Sequence, residues 1–280
     1  MLKKHKKEIA FMIDYALKED IGDVDITTEV TVPAVTKAIG EFGAKDDGIV
    51  CGMPIVKMIF EKLDRDAKVY IKKKDGQEMH HGDVLAVVKG SARAILAGER
   101  TALNFLQRMS GIATYTKKFV DVAKPYGVTI LDTRKTTPGL RVFEKYAVVT
   151  GGGQNHRMGL YDAVLIKDNH LQVVDIREAT RNIRRWIPKN MKVEIEIDDM
   201  LLLDEALEAK PDIIMLDNMT PEMIDRAMEK IKGKVKVEVS GGVNLDNIKE
   251  LAKRKVDYIS IGSITHSPKA LDISFNFVAK

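Results

Sequence analysis

Residues 192–262 read KVEIEIDDMLLLDEALEAKPDIIMLDNMTPEMIDRAMEKIKGKVKVEVSGGVNLDNIKELAKRKVDYISIG. Four apolar runs stand out: KVEIEI (192–197), DIIMLD (212–217), VKVEVS (235–240) and DYISIG (257–262), starting 20 to 23 residues apart. Between them, segments such as LLLDEALEA and PEMIDRAMEKI carry a helical period. Repeated strand–helix units imply a parallel sheet with right-handed crossovers. Two similar runs lie upstream, VTILDT (128–133) and DAVLIK (162–167). A polar residue or a glycine ends each of the six: Asp132, Lys167, Glu196, Asp217, Ser240 and Gly262. In a barrel all strand C-termini open on one mouth, where a site is built. In an open sheet only the strands at the switch point would carry such residues. Six strands are fewer than eight, so the expectation is an incomplete α/β barrel.

Outward from this region the pattern changes. Residues 5–20 are helical by period, with Ile9, Met12, Ile13, Ala16 and Leu17 on one face. DITT (25–28) reads as the start of a polar turn. From Val30 to about Arg93 short alternating strands and turns prevail, with turn chemistry at Asp75–Gly76 and Gly82–Asp83 and one helical run, Met53–Leu63. Residues 92–123 are helical, with a break expected at Gly111. The fold class is therefore α/β: an N-terminal α+β sandwich (1–113), an incomplete α/β barrel (114–273) and a C-terminal tail (274–280) that could pack back on the sandwich.

Composition limits the function classes. The chain has 280 residues, 45% of them apolar and 31% charged, which is the make-up of a globular protein with a substantial core. A net charge of +4 and 6% aromatics give no basic stripe with interleaved aromatics, so nucleic acid is not an expected partner. No run is long and apolar enough to span a membrane, and no signal peptide is evident. The single cysteine, Cys51, excludes an intramolecular disulfide. It lies in an apolar context that reads as core, and a cytoplasmic location is expected.

The chemistry concentrates in residues 131–171, LDTRKTTPGLRVFEKYAVVTGGGQNHRMGLYDAVLIKDNHL. Arg134, Lys135, Arg141, Lys145, His156, Arg157, Lys167 and His170 stand there against only four acids, Asp132, Glu144, Asp162 and Asp168. Bases at segment ends and glycine turns, without compensating acids, suit a small ligand rich in carboxylate or phosphate. His170 reads as a helix-start cap. Gly151–Gly153 is no Walker loop, since no GK[ST] follows. Two further glycine turns, VSGGV (239–243) and IGSITHS (261–267), follow the last two strands and suit a phosphate, with His266 as an added donor. Glu196 and Asp217 could hold ribose hydroxyls or a magnesium ion, or equally pair with neighbouring cations.

These residues match a known family. The chain resembles quinolinate phosphoribosyltransferases along nearly its whole length. The resemblance rests on DITT (25–28), ERTALNFLQRMSGIAT (99–114), DTRKTTPGLR (132–141), KYAVVTGGGQNHRMGLYDAVLIKDNH (145–170), VEIE (193–196), LDN (216–218), SGG (240–242) and IGSITHS (261–267). It implies joining of quinolinate to phosphoribosyl pyrophosphate, giving nicotinate mononucleotide, pyrophosphate and carbon dioxide, with Mg2+ required. It implies that Arg134, Lys135, His156, Arg157 and Lys167 contact quinolinate and pyrophosphate. Arg100 would come from the partner subunit of a homodimer with shared active sites, which a hexamer would extend. Glu196 and Asp217 would lie near the ribose and the metal. Ser240, Gly241, Gly242, Gly262 and His266 would take the 5′-phosphate side. Lys135, Lys167, Glu196 and Asp217 are the residues expected to serve the chemistry, with Lys135 the candidate donor to the carbon that loses carbon dioxide.

Two other classes compete. A related transferase would take nicotinate or another ring, but NHR and KDNH supply donors for a second carboxylate. A lipoyl-type carrier is suggested by KKDGQEMHHGDVLAVV, but no lysine sits on an exposed hairpin between paired strands, and the mouth bases would have no role.

Overall fold

The computed structural model describes residues 1–278. The strands are β1 (Lys37–Ala44), β2 (Gly48–Ile49), β3 (Lys68–Ile71), β4 (Glu78–Met79), β5 (Val84–Ser91), β6 (Thr129–Leu131), β7 (Val164–Ile166), β8 (Val193–Ile197), β9 (Ile213–Asp217), β10 (Lys236–Ser240), β11 (Tyr258–Ser260) and β12 (Ile273–Phe277). The helices are α1 (Lys6–Ile21), α2 (Ile26–Thr31), α3 (Met53–Leu63), α4 (Ala92–Ala123), α5 (Arg141–Thr150), α6 (Asp168–Leu171), α7 (Ile176–Trp186), α8 (Leu203–Glu208), α9 (Pro221–Ile231), α10 (Ile248–Lys253) and α11 (Ser263–His266). Two units divide the chain. The first takes Met1–Lys117, Thr136–Gly152 and the described residues from Ile264 on; the second takes Lys118–Lys135 and Gly153–Ser263.

The first unit is built on an antiparallel sheet in the order β12-β1-β5-β3. Gly40 is small because the ring of Phe275 lies over it: a Cβ there would meet Phe275 Cζ at 2.1 Å. Ile9, Ile13 and Leu17 recur at i, i+4 and bury one face of α1. Cys51 is fully buried, and its backbone N–H donates to Ser110 Oγ at 3.0 Å. Residues 279 and 280, the end of the expected tail, lie outside the described residues.

Two local expectations need correction. DITT does not open a turn; Asp25 caps α2, its carboxylate accepting the Thr28 N–H at 3.0 Å. Gly111 does not break a helix either. α4 runs unbroken from Ala92 to Ala123, and 113/114 falls inside it. Glycine is required at 111 by a neighbour distant in sequence, since a Cβ would lie 2.2 Å from the Lys269 carbonyl oxygen.

The second unit holds one parallel sheet in the order β6-β11-β10-β9-β8-β7. Read as a circle, this is chain order with one gap, between the first strand and the second. A doubly wound sheet would instead reverse at a switch point. Gln154 fills part of the gap, bridging to Leu131 and exchanging backbone hydrogen bonds with β6. All five residues of β8 are buried, Val193, Glu194, Ile195, Glu196 and Ile197 alike. Alternation along the strand puts Glu194 and Glu196 on the face opposite the apolar three. Curvature decides which face is concave. In a flat sheet β8 and β10, with β9 between them, stand about 9–10 Å apart. Yet carboxylate oxygens of Glu194 on β8 and Glu238 on β10 lie within 4.8 Å of one another. The acids therefore share one face of the sheet, and the circular strand order is that of an incomplete α/β barrel.

Candidate active site

The mouth of the second unit is formed where its strands end. Asp132 follows β6, is fully buried, and holds the next crossing segment. Its carboxylate accepts from Asn155 Nδ2 at 2.5 Å and from the His156 backbone N–H at 2.9 Å. His156 is in turn held on both ring nitrogens. Nδ1 accepts the Arg157 backbone N–H at 2.8 Å, so Nδ1 carries no proton and the proton sits on Nε2. Nε2 donates to Glu194 Oε2 at 2.9 Å, with Glu238 Oε1 3.8 Å away.

Arg157 is half-buried, and its side chain reaches the Ala163 carbonyl at 3.4 Å. Burial, and then the guanidinium of Arg134, lower its proton affinity. Two like charges are thus brought together at the ends of separate segments. Lys135 is exposed, its backbone N–H donating to Thr133 Oγ1. Lys167 follows β7, and its ammonium donates to Glu196 Oε2 on β8 at 2.6 Å. Burial raises the Glu196 carboxyl while Lys167 opposes the rise. His170 Nδ1 accepts the Lys167 backbone N–H at 2.9 Å, capping α6 as its sequence position suggested.

Asp217 ends β9 opposite Ser240 at the end of β10. Its carboxylate accepts from Asn218 Nδ2 at 2.7 Å. Asn218 and Gly241 both take positive φ, 53° and 90°, and a Cβ on Gly241 would lie 2.2 Å from Asn218 Oδ1. Gly242 follows with φ 62° and open space around its Cα. Gly262 lies beyond β11 in the same unit. Two candidates belong to the first unit: Arg100, exposed on α4, and His266, exposed at the end of α11 with Nδ1 2.6 Å from Ser267 Oγ. Arg141 and Lys145 also lie there, on α5. Arg141 Nε donates to Thr136 Oγ1 at 2.9 Å, and Lys145 is fully buried.

Two candidate positions carry donors of the type that could hold a metal. Glu196, next to last in β8, and Asp217, last in β9, offer hard oxygen ligands, the kind Mg2+ takes in ones and twos beside substrate phosphates. A third group, His156, Glu194 and Glu238, also has ligand-type atoms within 4.8 Å of one another. Sequence reasoning passed over Glu194 and Glu238. The signal was present in VEIEI and VKVEVS, where acids alternate with residues that must be buried. Burial pushes Glu194 up to about 7 and Glu238 up to about 8, the latter raised further by its neighbour.

Family models match both halves of the chain: Quinolinate phosphoribosyl transferase, N-terminal domain, over residues 25–110, and the C-terminal domain over residues 112–276. The chain belongs to the quinolinate phosphoribosyltransferase family. Its relatives in that family include "Quinolinate phosphoribosyltransferase [decarboxylating] 1" of Nicotiana glauca, 43% identical over 94% of this chain and 80% of the relative. "Probable nicotinate-nucleotide pyrophosphorylase [carboxylating]" of Bacillus subtilis (strain 168) is 41% identical over 95% of this chain and 92% of its own. Among solved structures, the nicotinate-nucleotide pyrophosphorylase from Francisella tularensis superposes with a TM-score of 0.92 at 38% identity, covering 97% of this chain and 96% of that one. No described helix is long and apolar enough to cross a membrane.

Proposed function

We infer that this chain catalyses phosphoribosyl transfer from phosphoribosyl pyrophosphate to quinolinate with decarboxylation, yielding nicotinate mononucleotide, pyrophosphate and carbon dioxide for NAD biosynthesis. One observation carries the chemistry: Arg134, Arg157 and Lys167, from three separate segments, stand at one barrel mouth, where burial and then the Arg134 charge lower the proton affinity of Arg157. Glu194, Asp162 and Glu196 offset part of that repulsion, and a pyridine dicarboxylate brings two further anions to the pair.

In this reading Arg134, Lys135, His156, Arg157 and Lys167 form the quinolinate pocket, with Arg100 of the partner subunit completing it in a homodimer. The dimer could assemble further, to a hexamer. Ser240, Gly241, Gly242, Gly262 and His266 take the 5′-phosphate side. Glu196 and Asp217 would hold Mg2+, which offsets charge on the pyrophosphate when bound. The pyridine nitrogen forms a bond to the anomeric carbon as the carbon–oxygen bond breaks, its electron pair leaving with pyrophosphate. The sugar passes through an oxocarbenium-like state. No enzyme nucleophile is required, so catalysis is alignment and charge stabilisation. Ribosylation makes the ring nitrogen cationic. The bond to the adjacent carboxylate then breaks, carbon dioxide departs, and the electron pair stays on the ring carbon as an ylide. A proton added to that carbon, with Lys135 as the donor, completes the product. A cytoplasmic setting fits a single buried cysteine that makes no disulfide.

The test is a product assay with quinolinate, nicotinate or nicotinamide, each with phosphoribosyl pyrophosphate and Mg2+. Quinolinate alone should give nicotinate mononucleotide with equimolar carbon dioxide. A site built for two carboxylates strands cationic donors when one is absent, at about 1.5–3 kcal/mol per charge-assisted hydrogen bond. Equal turnover of nicotinate would defeat the assignment.

A further inference from the structure

Beneath the cationic mouth lie two buried acids that the reaction as written does not use. Glu194 is 4% exposed and Glu238 0%. Glu194 Oε1 and both Glu238 oxygens are buried with no hydrogen-bond partner, although the fourth oxygen of the pair, Glu194 Oε2, takes the His156 proton. Two charged carboxylates so placed would repel each other in a medium that solvates neither. A proton shared between the two carboxyls would remove both difficulties, and Glu194 Oε2 accepts the His156 Nε2–H at 2.9 Å. The imidazole then has one allowed tautomer. Its bare Nδ1 receives the Arg157 N–H, so the chain of bonds from Glu238 ends on the backbone that carries the Arg157 guanidinium.

We propose that Glu194 and Glu238 are positioning residues for the transfer reaction: they fix the tautomer and tilt of His156 and, through it, anchor Arg157 for the ring dicarboxylate. This rests on the function proposed above. The groups facing the pair are His156 on the crossing segment, Glu196, Arg157 and Lys167 at the mouth, and Ser260 on β11. Both nitrogens of His156 are engaged within the protein. The imidazole is thereby a strut within the pocket wall, held between Glu194 and the Arg157 backbone.

The experiment compares Glu194→Leu, Glu238→Leu and Glu238→Gln with the wild-type full chain. Glutamine at 238 keeps a donor toward Glu194 and should retain kcat/KM within about threefold, whereas Glu238→Leu loses about tenfold. Glu194→Leu should raise the KM for quinolinate about tenfold or more and leave the KM for phosphoribosyl pyrophosphate within about threefold. Nitrogen-15 spectra of His156 in the unliganded protein should show the Nε2–H tautomer in the wild type and Glu238→Gln, and a mixture in any leucine variant that folds. This readout needs no turnover, so it separates failure of the strut from failure of the enzyme assignment. Equal rises in both KM values, an Nδ1–H tautomer in the wild type, or one metal ion per chain lost in Glu238→Gln would each overturn the proposal.

Discussion

Lys167 and Glu196 join neighbouring strands β7 and β8 at the barrel mouth, Nζ to Oε2 at 2.6 Å, with the lysine partly exposed and the glutamate 92% shielded. The asymmetry gives the pair two roles that mutation can separate. Lys167→Ala removes a cation from the pocket and should lower kcat/KM by about one to two orders of magnitude. It also strands a buried carboxylate, costing about 1–3 kcal/mol of stability. Adding Glu196→Gln should restore much of the melting temperature and none of the activity. Recovery of both would mean that Lys167 serves the fold alone.

The phosphate-side loop yields a steric prediction. Gly241→Ala forces a Cβ against Asn218, which also orients Asp217, at a φ that side chains rarely adopt. Gly242→Ala meets only the φ penalty, about 1–2 kcal/mol. Measured side by side, the substitution at 241 should lose more activity and more stability than that at 242. Indistinguishable variants would remove Asn218 from the account.

Glu238 sets a pH trend. Its carboxyl is raised from an ordinary 4.5 to about 8 in the folded protein, so the native state holds a proton that the unfolded chain releases earlier. A raised acid costs stability as pH climbs above the unfolded value, and the cost stops growing above the folded one. The melting temperature of Glu238→Gln relative to wild type should therefore rise between about pH 5 and pH 8 and level off beyond. A flat difference across that window, followed by thermal melts, would place the proton elsewhere.

The shared-site dimer is tested by complementation. Inactive Arg100→Ala chains are mixed with inactive Lys167→Ala chains after dissociation and reassembly. In a mixed dimer one site would carry both defects and the other neither. With random pairing about half the dimers are mixed, and part of the activity should return. No recovery despite proven exchange would assign Arg100 to the site of its own chain.

The strands of the barrel were legible because each is a short buried run whose period differs from the helices around it. β8 to β11 fall within the runs quoted from 192, 212, 235 and 257. What escaped was set by partners far away in sequence. Gly111 reads as a helix breaker until Lys269, 158 residues on, is seen against it. DITT reads as a turn because a six-residue helix offers too few positions to show a period. Glu196 drew notice by ending its strand. Glu194 and Glu238 did not, since nothing local says that strands β8 and β10 curve until their acids meet.

Each of the two larger sheets borrows a strand from late in the chain: β6 lies beside β11, and β1 beside β12. During synthesis, neither can be completed until β11 and β12 have been made. A growing chain would carry unpaired edges on both sheets for most of its time on the ribosome, with few local contacts to hold them. Loss of β12, from a premature stop or a nick, would strip β1 of its neighbour and leave an edge able to recruit another molecule. Completion of both sheets thus waits on β11 and β12, the strands on either side of Gly262 and His266.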